Sequence, residues 1–390
     1  MNLRILSALT AIATLVVSTN TSPAQTKIRI EDYVSTGIED PTPIAVSGFS
    51  GEVLAALSFD LYVMGFKIVP EAEAQYTVSG SNAGRVEARV IDRIGGGTSL
   101  LARAYSGGSL RQQAHALADD IVKVTVNRQG IAQTRIAYRV KTGTRAFEIY
   151  VSDYDGSGAR AVTSDKVLVA APSWVKGRMA LFYSTYKNVF PDIVSHDLTT
   201  GNRQVFASYN GANLSPSVSP DGRKVAMILS RSGSPDVWVS DIDGKNLKQL
   251  TKTRETEASP TWSPDSRTIC FSSEAGGRNA LYTVTTEGGA MKRMSVQGVS
   301  NVTEPDWSPD GKWIAFTQQR RGGFDICVVR ATGGEARVLV EGEDPSWAPN
   351  SRNLIYTRNQ ERLSVLDVPT RQSKDIARVS GKSSGPSWAR

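Results

Sequence analysis

A six-bladed β-propeller preceded by a small α/β domain is the fold class that three observations predict. First, a P-x-W segment, a Ser-Pro-Asp-Gly type turn and a short apolar run recur together along the chain. The leading prolines (Pro172, Pro216, Pro260, Pro305, Pro345 and Pro386) stand 44, 44, 45, 40 and 41 residues apart. That period suits a four-stranded blade, because the units are β-rich and punctuated by turns. Second, the last copy, PSWAR, supplies a single strand, and its missing partners stand ahead of the first copy. Third, the stretch before the repeats alternates strand-like and helix-like segments.

Taken in order, residues 1–24 read as a cleavable signal peptide. Arg4 gives a positive start, Ile5–Val17 is a mainly apolar run, and Ser22-Pro23-Ala24 is a small-residue cleavage site. The apolar run is short for a span, which needs about 20 residues. An exported chain is therefore expected, with no membrane span after processing.

Residues 25–131 form the predicted α/β domain. KIRIEDYV (27–34) is a strand or an arm, and TPIAVSGFSG (42–51) is a strand entering a glycine turn. The spacing of Leu and Val predicts a helix over 51–65, and that of Ala114, Leu117, Ile121 and Val124 a second over 109–126. Strands are expected at FKIVP, QYTVSGS, RVEARVIDR and SLLARAYS.

Residues 132–390 form the predicted propeller. In each unit Pro presets φ and Asp and Gly favour the bend. An alternating strand follows, then a third strand and a Gly-rich hairpin into a fourth. Proline lacks an N–H, so the first strand belongs on an edge, here the edge facing an axial channel. Trp174, Trp262, Trp307, Trp347 and Trp388 fill one repeat slot, with Val218 in the remaining copy, and are expected between blades as core. RIAYRV (135–140), FEIYVSD (147–153) and RAVTS (160–164) should join the C-terminal PSW strand in a single blade. That pairing closes the ring and removes exposed sheet edges.

Composition narrows the function. The chain has 390 residues and a net charge of +7, but its Lys and Arg are scattered, with no run longer than Arg320-Arg321. That favours solubility or mild steering toward an acidic partner over nucleic-acid binding. Cys270 and Cys327 lie in apolar strands at non-equivalent repeat positions and read as buried thiols. The two histidines, His115 and His196, have no metal-ligand spacing partner, and HExxH is absent. Gly381–Gly385 formally fits GxSxG, but no helix follows it. Asp153, Asp155 and Ser157 resemble a calcium loop whose twelfth position is Ser164, so a hairpin is the better reading. No catalytic residue, cofactor or metal is expected. The residues just before each repeat proline should face one mouth of the channel. Asn213, Glu257, Thr303, Glu304 and Asp344 would place polar groups around that opening.

The TRIAYRV–YVSDYDG junction, the repeated P-x-W-SPDG units and the terminal PSW strand resemble the TolB family of the Tol–Pal system. The resemblance covers nearly all of residues 25–390. It implies a monomeric periplasmic scaffold that binds the peptidoglycan-associated lipoprotein Pal at the propeller mouth. It also implies binding of TolA through an N-terminal arm, and support of outer-membrane integrity and cell division. By motif, the Pal-facing rim would include Thr256, Glu257, Thr303 and Glu304, with Asp344 and Asn213 beside them. The TolA arm would include Lys27, Ile28, Arg29 and Ile30. A second reading is the propeller of a prolyl-oligopeptidase-like serine peptidase without its hydrolase domain.

Overall fold

The computed structural model describes residues 38–377 and 379–390. The candidate arm residues Lys27–Ile30 and the proposed signal peptide lie outside the described residues. Ile38–Arg390 forms one compact unit.

The N-terminal part is a five-stranded sheet with two helices. Its strands are β1 (Thr42–Ser47), β2 (Phe66–Ile68), β3 (Tyr76–Ser81), β4 (Glu87–Asp92) and β5 (Thr98–Ala104), in spatial order β2-β1-β3-β4-β5. β1 pairs parallel with both of its neighbours. A parallel pair needs a crossover, and helix α1 (Gly51–Val63) supplies it between β1 and β2. Helix α2 (Leu110–Val126) starts with a capping box. The Ser109 hydroxyl accepts from the Gln112 N–H at 3.2 Å, and the Gln112 side chain accepts from the Ser109 N–H at 2.9 Å. It stops at Asn127, which takes the left-handed conformation at φ 50°. Apolar spacing buries Leu117 and Ile121 of α2 against Leu57 and Leu61 of α1 and Ile44, Val78 and Val90 of the sheet.

Six four-stranded antiparallel blades follow. Blades 1 to 5 open with the strands Val169–Trp174, Asn213–Val218, Glu257–Trp262, Val302–Trp307 and Glu343–Trp347. Blade 6 takes its inner strand, Ser383–Trp388, from the C-terminus and its other strands from Arg135–Lys141, Phe147–Asp153 and Arg160–Ala161. Ring closure by strand exchange is therefore as the repeat count predicts. A two-residue parallel pair, Val296–Gln297 with Gly334–Glu335, joins blades 3 and 4; no repeat signal marks it.

The inter-blade slot is filled as the repeats require. Trp174, Trp262, Trp347 and Trp388 are buried, and Trp307 alone among these five is only partly so. The buried indoles also donate outward. Trp174 Nε1 reaches Ser387 O at 3.1 Å, Trp262 Nε1 reaches Ser217 O at 2.8 Å, and Trp347 Nε1 reaches Asp306 O at 3.1 Å. Each bond crosses to the inner strand of the preceding blade. Trp307 Nε1 donates instead to Gly311 O, inside its own turn, at 3.3 Å.

The α/β region shares its core with blades 5 and 6: Ile136, Tyr138, Tyr154, Ile355, Val365 and Trp388 belong to the same apolar cluster as the two helices. Polar ties run across this junction. Asn353 Nδ2 donates to Val63 O at 2.6 Å, and Arg352 bridges Glu39 and Asp367 at 3.1 and 2.5 Å. Tyr154 stacks on Trp388 and donates its hydroxyl to Asp60 Oδ1 at 2.5 Å. Asp60 also holds His115 Nδ1 at 2.7 Å. Burial works against a charged imidazole, but Asp60 and Asp155 outweigh it and raise the His115 pKa.

Candidate functional site

The six repeat prolines line an axial cavity of about 520 Å³. Each sits on the inner edge strand, where the missing N–H faces the axis and no ladder bond is lost. The residue before each proline takes the left-handed region: Ala171 (φ 52°), Ser215 (49°), Ser259 (52°), Glu304 (54°), Asp344 (55°) and Gly385 (59°). The pairing with the second strand shifts register there in every blade. Five of the six are not glycine, and such a conformation costs roughly 1–2 kcal/mol each. The bulge sets these six residues in the wall of the cavity.

Hydrogen bonds lock this ring from blade to blade. Glu304 Oε2 accepts from the Asp344 N–H at 3.0 Å and from Thr317 Oγ1 at 2.7 Å. Asp344 Oδ2 accepts from the Gly385 N–H and from Thr357 Oγ1, both at 3.2 Å. Burial first, and then the neighbouring Asp344, raise the Glu304 carboxyl to about 8. Glu343 rises to about 7 for the same two reasons. At neutral pH this end of the channel therefore holds protons on groups that would otherwise be anionic.

A second ring lies one residue after the prolines. The backbone N–H of Val218 donates to Ser173 Oγ at 3.0 Å, that of Trp347 to Asp306 Oδ2 at 2.7 Å, and that of Trp388 to Ser346 Oγ at 3.1 Å. Arg390 caps this side, pairing with Asp306 and donating to the carbonyls of Trp347 and Trp307 at 3.0 and 3.1 Å. The signal was present in the sequence, since the residue after proline is Ser, Thr or Asp in all six copies.

The expected rim residues separate into two groups. Glu304 and Asp344 line the cavity, and Thr303 is partly exposed beside them. Thr256 is exposed on the connector into blade 3. Asn213 and Glu257 are corrections: both are buried and neither lines the cavity. They stand three residues before their prolines, where the strand is still in register, so their side chains turn into the blade. Asn213 Nδ2 donates to the carbonyls of Tyr209, Pro191 and Gly211. Glu257 accepts from Ser273 Oγ and Thr253 Oγ1, both at 2.9 Å, and burial raises its carboxyl to about 7. Both anchor connectors between blades.

No group of three or more His, Cys, Asp or Glu among the described residues could hold a metal ion. His196 is buried, its Nδ1 has no hydrogen-bond partner, and burial lowers its pKa to about 4. Cys270 and Cys327 are buried and unpaired. No described helix is long and apolar enough to cross a membrane.

Comparison with known proteins follows the same lines. The sequence profile of the TolB beta propeller domain matches residues 122–390. The chain is 29% identical over 244 residues to the Tol-Pal system protein TolB of Gluconobacter oxydans, across 55% of this chain and 54% of that one. It is 30% identical over 174 residues to the protein of the same name from Haemophilus ducreyi, across 44% and 38%. In these matches the chain spans about half or less of the relatives' length. The crystal structure of TolB from Acinetobacter baumannii superposes with a TM-score of 0.80 at 23% identity, covering 91% of this chain and 98% of that one. At that identity the likeness speaks for the fold.

Proposed function

The chain belongs to the TolB β-propeller family, and from that membership we propose that it is a non-catalytic binding scaffold of the Tol–Pal envelope system. It works in the periplasm after export. It binds the Pal lipoprotein at the channel mouth ringed by Glu304 and Asp344, and TolA through the arm that contains Lys27–Ile30. Through these contacts it supports outer-membrane integrity and cell division.

The observation that supports the reading best is the ring of left-handed residues before the prolines. The fold spends backbone strain at five of the six blades to present Glu304, Asp344 and their equivalents to an axial opening. Thr303, at the start of its inner strand, is partly exposed, and Thr256, on the connector into blade 3, is exposed, so both can be read by a protein surface. No Ser-His-Asp arrangement emerges among the described residues, because both histidines are packed into structural surroundings.

The test is calorimetric titration of the mature chain with the soluble domain of the Pal encoded in the same genome. A one-to-one complex is expected, weakened by Thr303→Arg and by Glu304→Lys. Absence of any complex at high micromolar concentration would sink the reading.

A further inference from the structure

The face of the propeller that carries the hairpins between second and third strands is more basic than the face opposite. Each inner strand runs away from this face and each second strand returns to it, so all six hairpins stand at the same end of the propeller. Each hairpin exposes a cation: Arg145, Lys187, Arg231, Arg278, Arg321 and Arg358. Across residues 141–146, 186–191, 230–235, 274–279, 319–323 and 358–361 there are eight Lys or Arg against two Glu. The opposite face lacks this bias: across its turns 175–179, 219–223, 263–267, 308–312 and 348–352 and its outer hairpins 154–159, 198–202, 242–247, 286–291, 331–336 and 368–372 there are eight Lys or Arg against seven Asp or Glu.

Several of these cations are uncommitted. Arg145, Arg278 and Arg321 make no ion pair among the described residues, whereas Lys187 and Arg358 reach Asp165 and Asp375 only at 3.9 and 3.5 Å. Of the inward carboxyls, Glu304 and Glu343 are raised to about 8 and about 7 and offset the collar less than ordinary carboxylates would, with Asp344 the third beside them. One hairpin adds an apolar tip. Val189 is 95% exposed and Phe190 49%, with Tyr186 beside them. An exposed aromatic on a face that also carries unpaired guanidinium groups is the composition of a protein interface, where such residues anchor a partner. A simple polyanion would have no use for it.

We infer that the partner docking on this hairpin face presents an acidic protein surface, with the collar steering it onto the mouth and the Val189–Phe190 tip anchoring one side. This rests on the proposed reading that the mouth binds the Pal lipoprotein, and adds the charge of the surface that meets it. Charges spread around a ring act over about 10 Å at 0.1 M salt. They raise the association rate more than they lower the dissociation rate.

The experiment measures association rates of the full mature chain with the immobilised soluble domain of that lipoprotein, at about 50 and 200 mM NaCl. The variants are the triple Arg145→Glu/Arg278→Glu/Arg321→Glu, the single Arg321→Glu, Phe190→Ala, and Arg89→Glu on the α/β region as control. The inference predicts a rate about tenfold lower at the higher salt, and about tenfold lower for the triple. The single should lose less, Phe190→Ala should speed dissociation, and the control should match the parent. A complex whose rate ignores both salt and the triple overturns the acidic-partner inference while leaving the Pal reading standing. Binding to vesicles containing phosphatidylglycerol that the triple abolishes, with the lipoprotein complex unaffected, overturns it in favour of a lipid surface. No complex with any form removes the Pal reading and this inference with it. The single variant carries the conclusion if the triple melts below the parent.

Discussion

Replacing Trp388 by alanine should open the ring at its seam, and the structure sets the size of the effect. Trp388 sits on the C-terminal strand that completes blade 6 and is 2% exposed. Its indole donates to Thr134 Oγ1 at 2.8 Å, and its ring stacks on Tyr154 with centroids 6.1 Å apart. Tyr154 in turn holds Asp60 of α1, so the seam and the α/β junction share one cluster. Loss of a buried tryptophan costs about 3–5 kcal/mol. A unit the size of Ile38–Arg390 unfolds with an entropy of about 0.7 kcal/mol/K at the standard value per residue, so the midpoint should fall by about 4–7 °C. Trp307→Ala is the internal control. It is only partly buried and bonds within its own turn, so about 1–2 kcal/mol and about 2 °C are expected. Scanning calorimetry of both variants decides the matter. Equal shifts, or a larger one for Trp307→Ala, would refute the claim that the seam carries more stability than an ordinary blade boundary.

Three further outcomes follow from the buried groups. Glu304 holds its proton more tightly folded (about 8) than at its ordinary value of 4.5, so its contribution is full below about pH 4.5 and is lost as pH rises through about 8. With part of the side chain open to solvent, about 1–3 kcal/mol should disappear between those limits. Glu304→Gln should flatten that slope in melts taken from pH 5 to pH 9, and an unchanged slope would remove the assignment. Burial pushes the Cys327 thiol up to about 12 and raises that of Cys270 as well. Neither should react with a thiol reagent in the native chain, and both should react after denaturation; prompt native labelling would contradict the packing. Asp60→Asn should lower stability by about 3–5 kcal/mol, because it leaves Tyr154, His115 and the buried junction without their carboxylate. A melt within 1 °C of the parent would show that the network is idle.

The repeat made the propeller legible because its period, its prolines and its tryptophans each encode a geometric need. Pro386 and Trp388 carried the closure, since one unpaired strand demands partners elsewhere. The candidate mouth was legible only in part. Counting back from proline assumes a continuous strand, but the bulge at the preceding residue separates Glu304, which lines the cavity, from Glu257, which is buried and does not. Both positions read as Glu near Pro, and only the register shift tells them apart. The junction network was also out of reach: Asp60, His115 and Tyr154 are far apart in sequence and meet only when α1 and α2 pack on blade 6. The parallel pair at Val296–Gln297 is two residues long and carries no periodicity to detect.

The central claim, that a partner docks on the hairpin face of this propeller, is tested most directly by amide hydrogen exchange with and without the soluble Pal domain. Slowed exchange is expected in the hairpins around 186–191 and 319–323 and in the strands leading to Glu304 and Asp344. Protection confined to the turns 219–223, 263–267 and 308–312 on the opposite face, or none anywhere under saturating partner, would contradict it.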